Sequence, residues 1–169
     1  MNRFCTCGLK DISEALRRYP CAAARIMGSD DYPDIIGETK FYQMSSGVLV
    51  ATEVIGLPAS CDICMNPVFG FHIHGGSGCT GNDEDPFADA FSHYNPNACE
   101  HPFHSGDLPP LFGNNGYALS VFLTNRFSLD EIIGRTIIIH LNPDDFTSQP
   151  AGHSGTKIAC GNIVRYYCG

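Results

Sequence analysis

An all-β domain, an antiparallel barrel or sandwich, is the fold class the sequence predicts. Three observations lead there. Short alternating or apolar runs recur along the chain, Gly-, Asn- and Ser-containing turn signals separate them, and no long helical period is sustained. The 169 residues suit one domain. A chain of this size buries roughly two thirds of its unfolded surface. With 43% apolar residues it is neither a disordered tail nor a membrane protein, and no run approaches the ~18 apolar residues of a spanning helix.

The elements follow in order. Asp11 to Arg18 predicts a short helix with Asp11 as its cap, Ile12, Ala15 and Leu16 on one face and Pro20 as its stop. It reads as a packing helix or frayed leader, which sets residues 1–20 apart as an N-terminal extension to a domain over 21–169. Ala22–Met27 is a short, mostly apolar strand. Glu38–Met44 alternates, with Thr39, Phe41 and Gln43 on one side and Lys40, Tyr42 and Met44 on the other. After the turn Ser45-Ser46-Gly47, Val48–Leu57 alternates again, with Val48, Val50, Thr52 and Val54 on one face, so the two runs form a hairpin. Pro67–His74 is a further strand. Asn114-Asn115-Gly116 supplies positive-φ residues for a tight turn before the alternating Tyr117–Leu123. Ser128 to Glu131 has capping-box spacing and predicts one helical turn. Thr136–His140 and Ile158–Val164 complete the strands.

The formal charge of −8 argues against a nucleic-acid surface. It does not exclude an anionic substrate, because bound cations would change the local field. The first twenty residues lack the apolar core of a secretory signal, which points to the cytoplasm, or outside it if a leader is missing. Nine cysteines, an odd and high number, imply some disulfide, some metal or some free thiol. Cys61-Asp62-Ile63-Cys64 and Cys5-Thr6-Cys7 admit a four-thiolate zinc site, although a local disulfide or reduced surface thiols fit the spacing better. Cys21, Cys99 and Cys168 have no clear partners.

Residues 75–110 form a loop of unusual length, and such loops are usually functional or disordered. Five of the seven histidines lie between Phe71 and Pro110. His72 and His74, two apart on a strand, face the same way, and His140 ends a separate strand that a barrel could bring beside them. The loop adds His93, His101, His104 and Asp107. Three imidazoles and a carboxylate satisfy tetrahedral zinc; imidazoles closer to a plane suit copper(II). Metal binding is therefore the expected chemistry, and it would order a loop that has no apolar face.

Phe71-His72-Ile73-His74, Gly78-Cys79-Thr80, His93-Tyr94-Asn95-Pro96, the run from His101 to Asp107, the run from Ile133 to His140, and Ala159-Cys160-Gly161 together resemble the copper/zinc superoxide dismutases, in the family's order from Ala22 to Val164. The member they resemble is of bacterial type. The resemblance implies an eight-stranded Greek-key β-barrel, an immunoglobulin-like sandwich, with a long metal-binding loop and a short electrostatic loop. It implies copper on His72, His74, His93 and His140, zinc on His93, His101, His104 and Asp107, and His93 as the shared bridge. It also implies a Cys79–Cys160 disulfide and Asp144 as a carboxylate joining a ligand histidine of each metal. The implied reaction is disproportionation of superoxide to dioxygen and hydrogen peroxide, with copper cycling between Cu(II) and Cu(I), zinc structural, and His93 storing a proton. The expected partner is superoxide, with no nucleic acid and no membrane; a homodimer is left open.

One position departs from the pattern. Where the family carries an anion-guiding arginine, three residues before the second disulfide cysteine, this chain has Lys157. The charge survives but the planar, two-donor fork does not, so a slower enzyme is expected. Lys157 also keeps a rival open: a copper- and zinc-binding protein for storage or delivery, without efficient turnover. The segment after His140 carries two Asp and no Lys or Arg as far as Lys157, so steering should be weak. His153 within it reads as a solvated loop residue.

Overall fold

The computed structural model describes residues 8–62, 64 and 67–166. Cys5, Cys7 and Cys168 lie outside the described residues, so the four-thiolate reading does too. The elements are α1 Leu9–Ala15, β1 Ala22–Gly28, β2 Ile36–Met44, β3 Gly47–Ile55, β4 Val68–Phe69, β5 Phe71–His74, β6 Leu111–Phe112, β7 Ala118–Thr124, α2 Leu129–Ile132, β8 Thr136–His140 and β9 Lys157–Arg165. Every strand pair is antiparallel. Seven strands make one curled sheet in the order β5-β8-β9-β1-β2-β3-β7, and β4 pairs with β6.

The period of two decides what is inside. Val48, Val50, Thr52 and Val54 of β3 all face the core, and Thr39 and Phe41 of β2 face it beside them. The buried Thr39 and Thr52 hydroxyls satisfy each other at 3.0 Å. Strand β8 is buried along its whole length, Thr136 to His140: it lies between β5 and β9, and Phe87 and Ala90 of the long loop pack on Ile138.

Two predicted elements are corrected. The first helix starts at Leu9 and ends at Ala15. Asp11 is not its cap: it sits in the first turn and accepts the Gly8 N–H at 2.8 Å. Carboxylates are favourable at both places, which is why the sequence did not separate them. The run Pro67–His74, read as one strand, breaks at Gly70 between two partners: β4 pairs with β6, and β5 pairs with β8. Counted as one, β4 and β5 give the eight strands of the barrel, and β6, lying beside β7, turns the sheet back on itself. The two-residue strand β6 was not foreseen. It follows Pro109-Pro110 and is too short to show a period.

Strand β5 is last in the sheet order, and its free edge is taken by the long loop. Ile73 N–H donates to the Gly106 carbonyl at 2.9 Å, Tyr94 N–H to the Ile73 carbonyl at 2.8 Å, and Gly75 N–H to the Ser92 carbonyl at 2.8 Å. The disulfide between Cys79 and Cys160 ties the same loop to β9. Phe87 and Ala90 pack around it against Ile138. The loop thus covers a vulnerable sheet edge and carries its histidines to β5.

Candidate metal centre

Two buried clusters form where the loop meets β5 and β8. His72, His74, His93 and His140 make one; His93, His101, His104 and Asp107 make the other. Within each set the donor atoms lie within 4.8 Å of one another. The histidines of the first cluster that stand on strands arrive by register. His72 pairs with Ile138 and His74 with Thr136, while His140 lies one residue beyond the Phe71–Ile139 pair. The loop adds His93 through a bridge to His74 and Asp107 through a bridge to His72.

The hydrogen bonds fix which nitrogen of each ring carries a proton. His74 Nδ1–H donates to the Phe91 carbonyl at 2.8 Å and His140 Nδ1–H to the Gly155 carbonyl at 3.1 Å. Their Nε2 atoms are therefore bare, yet they face each other at 3.2 Å. Two lone pairs at that distance repel unless a cation lies between them. His72 and His101 donate through Nε2–H to the two oxygens of Asp144, at 2.8 and 2.9 Å. Their buried Nδ1 atoms have no hydrogen-bond partner, and neither does His93 Nε2. In the second cluster Asp107 is surrounded by His93 Nδ1 at 2.8 Å, His101 Nδ1 at 3.1 Å and His104 Nδ1 at 3.3 Å. Orphaned ring nitrogens turned towards common centres are what metal ligation requires, and a donor set of neutral imidazoles with one carboxylate suits the divalent ions zinc and copper.

The electrostatics keep these donors available. Burial drives His72 down to about 4, although the hydrogen bond to Asp144 pulls the other way. Burial, and then His72, drive His140 down to about 3. His74 is pushed well below its ordinary value by burial and by its imidazole neighbours, and His104 is lowered by burial. For Asp144, burial works to raise the carboxyl, but hydrogen bonds from His72, the Phe146 N–H and His101 overcome it and hold the group at about 2. Asp107 is lowered too: burial opposes this, and the hydrogen bond and charge of His93 prevail. The four histidines therefore stay neutral and the two carboxylates ionised near neutrality, the forms that metal binding requires.

Two supporting features escaped the sequence. Gly152 sits at φ +66°, and a Cβ there would fall 1.9 Å from Asp144 Oδ1 and 2.8 Å from His101 Nε2. Only glycine lets this backbone lie over the carboxylate that joins the clusters. Arg126, between β7 and α2, donates through Nη1 to the carbonyls of Pro102, His104 and Asp107, at 2.9, 3.2 and 3.3 Å. No local motif marks either residue: Arg126 reaches back to the loop of the second cluster, and only the fold lays Gly152 over Asp144 and His101.

Lys157 lies opposite His140 in the β8–β9 ladder. Its ammonium is not free: it donates to Asp85 Oδ2 at 2.6 Å and to the Phe87 carbonyl at 3.0 Å. The charge that the sequence offers as available is thus partly neutralised by a carboxylate that nothing beside Lys157 in the chain marks. The His153 side chain is 81% exposed and lies 3.5 Å from Asp145 Oδ2. Cys61, Cys64 and Cys99 are free, exposed thiols, so the local Cys61–Cys64 disulfide is absent; Cys21 is disulfide-bonded.

Known proteins are similar to this chain. A family model described as copper/zinc superoxide dismutase matches residues 35–163. Cu-Zn superoxide dismutase 2 of Aquifex aeolicus is 31% identical over 145 residues, covering 77% of this chain and 80% of that protein. The Cu-Zn superoxide dismutase of Legionella pneumophila is 34% identical over 139 residues, covering 78% and 79%. The crystal structure of a double mutant of a SOD-like protein from Bacillus subtilis superposes with a TM-score of 0.69 at 25% identity, covering 84% of this chain and 96% of that one.

Proposed function

The chain belongs to the copper/zinc superoxide dismutase family, and on that premise we propose how its residues divide the work of a superoxide dismutase. The enzyme is an oxidoreductase that converts superoxide to dioxygen and hydrogen peroxide, with copper and zinc as its metals. His72 Nδ1, with Nε2 of His74, His93 and His140, would hold copper. His93, His101 and His104, each through Nδ1, would hold zinc together with Asp107. Copper supplies the one-electron chemistry; zinc has none to offer and holds its ligands in place.

The other steps belong to the protein. His93 takes up a proton at Nε2 in one half of the cycle and gives it to the departing product in the other. Its second nitrogen, fixed in the other cluster, keeps the ring in place meanwhile. Asp144 holds His72 and His101 with their Nδ1 atoms directed inward, a carboxylate–histidine arrangement that sets both tautomer and aim. Lys157 attracts the anion and favours the negative charge that develops beside the copper ligands. The Cys79–Cys160 disulfide anchors the loop that carries His93. Residues 21–169 form the catalytic domain and 1–20 an extension. Disulfide bonding at Cys21, Cys79 and Cys160 fits an oxidising compartment better than the cytoplasm first read from the N-terminus.

The observation that carries this reading is the pair of bare Nε2 atoms of His74 and His140 facing each other at 3.2 Å. The test is metal analysis of the purified protein beside a superoxide decay assay. The expected result is one copper and one zinc per chain, with rapid decay that is abolished by chelation and by His140→Ala. Full metal content without decay would move the protein to the storage or delivery reading, which the family assignment does not favour.

A further inference from the structure

Asp85 sits in the loop between Cys79 and the 3-10 turn Ala88–Ala90. The loop holds this side chain in place. Asn82 Oδ1 accepts the N–H groups of Glu84 and Asp85, at 3.0 and 2.9 Å. Asp85 Oδ1 accepts the Phe87 N–H at 3.1 Å, and the Ala88 N–H bonds the Asp85 carbonyl at 3.1 Å. Phe87 is buried against Cys160, and Cys160 is bonded to Cys79. The loop is thus fixed to β9 three residues from Lys157, and the remaining carboxylate oxygen, Oδ2, meets the Lys157 ammonium at 2.6 Å. Asp83 and Glu84 beside it point to solvent as exposed residues, so Asp85 is the acid of the run that turns inward. The lysine side chain is 14% exposed and the aspartate 40%.

We infer that Asp85 is a positioning residue that competes with the incoming anion for Lys157 and so sets how much positive charge the substrate meets. The inference rests on reading Lys157 as the anion site. A single ammonium has three donors, and two are taken, by Asp85 and by the Phe87 carbonyl. An anion approaching the copper ligands therefore meets a cation whose charge is largely cancelled, with one donor free. A guanidinium at this position would keep parallel donors in reserve. The acid and the lysine together thus act as an attenuated anion site.

The experiment uses the copper- and zinc-loaded protein and two readouts: azide affinity, followed by copper absorption, and superoxide decay against ionic strength. Asp85→Asn keeps the size of the side chain and its acceptor for the Phe87 N–H; Asp85→Ser is a second variant should the first fold poorly. Both should bind azide about two- to fivefold more tightly, the scale expected for removing one carboxylate from a partly exposed ion pair. Decay should be faster at low salt and fall more steeply as salt is added. Lys157→Met should weaken azide binding and remove that salt dependence. If Lys157→Met does so while both Asp85 variants bind azide no better than the wild type, the role of Asp85 is overturned and the reading of Lys157 stands. If Lys157→Met leaves azide affinity and salt dependence as they were, both fall.

Discussion

The two metal clusters share His93 but are built by different means. Of the first cluster, His72, His74 and His140 stand on β5 and β8, adjacent strands whose ladder fixes them to one another residue by residue. Every member of the second cluster lies on the loop, between His93 and Asp107, and is held by polar contacts around it. Arg126 gathers three loop carbonyls. Gln149 takes the His101 N–H at 3.1 Å and returns a bond to its carbonyl at 2.7 Å. Asp107 Oδ2 accepts the His104 N–H at 2.9 Å. A strand site is preformed by the sheet that would exist without it. A loop site is a web of polar contacts whose members help to order one another, so the ion is part of what holds it.

Removing both metals should separate the two regions most sharply. In hydrogen exchange, amides of β5 and β8 should keep their protection within about tenfold, while those of residues 95–107 should lose on the order of a hundredfold or more, because local opening there no longer breaks ligand bonds. Equal loss in both regions would mean that the strand site is no more preformed than the loop site.

Asp144→Ala is next in size. It removes the acceptor from both His72 and His101, and partners of this kind typically set about 10–100-fold in metal affinity. The strand still aims His72, whereas His101 loses one of its few anchors. Zinc affinity should therefore fall by the larger factor when the two metals are titrated separately. Gly152→Ala should reproduce much of this effect, because its methyl would displace the same carboxylate.

The strand-borne histidines also make the metal-free protein sensitive to acid. His72 stands at about 4 and His140 at about 3, against an ordinary 6.5 in the unfolded chain. Between those values the unfolded state binds more protons than the folded one, so stability falls as pH drops through 6.5 and continues to fall until about 3. Urea unfolding of the metal-free protein at pH 7, 5 and 4 should show the midpoint dropping at each step. A flat profile would mean that these rings are more open to water than their burial shows.

What could be read from the sequence follows the same division. The alternation of β2 and β3, the one-residue spacing between His72 and His74, and the turn at Asn115-Gly116 are local, because a strand's period of two converts sequence position directly into direction. The ligand types in the loop were legible as well, since no apolar pattern competed for them. The break at Gly70 was hidden: one apolar run serves two partners there, and pairing is a property of the sheet, not of the run. Arg126, Gln149, Gly152 and Asp85 were hidden for a related reason. Arg126, Gln149 and Asp85 act on segments far along the chain, Gly152 meets Asp144 and His101 only through the path of the folded loop, and nothing beside any of them in the chain marks the contact.

Arg126→Met should have the smallest effect and bear most closely on how the loop site is held. Its Nη1 reaches the carbonyls of Pro102, His104 and Asp107 from the turn after β7; His104 and Asp107 belong to the second cluster, and Pro102 follows a third member, His101. Losing charge-assisted hydrogen bonds at a partly exposed position costs about 1 kcal/mol, or roughly fivefold in an equilibrium. Zinc affinity should drop by about that factor, while copper affinity stays within about twofold, because β5 and β8 do not touch the clamp. Arg126→Lys should recover only part of the loss, since an ammonium on a flexible stem cannot hold three acceptors with the fixed geometry of a guanidinium. A matching fall in copper affinity would show that the loop and the strands move as one body, and the distinction between a preformed and an ion-organised cluster would fail at the residue best placed to detect it.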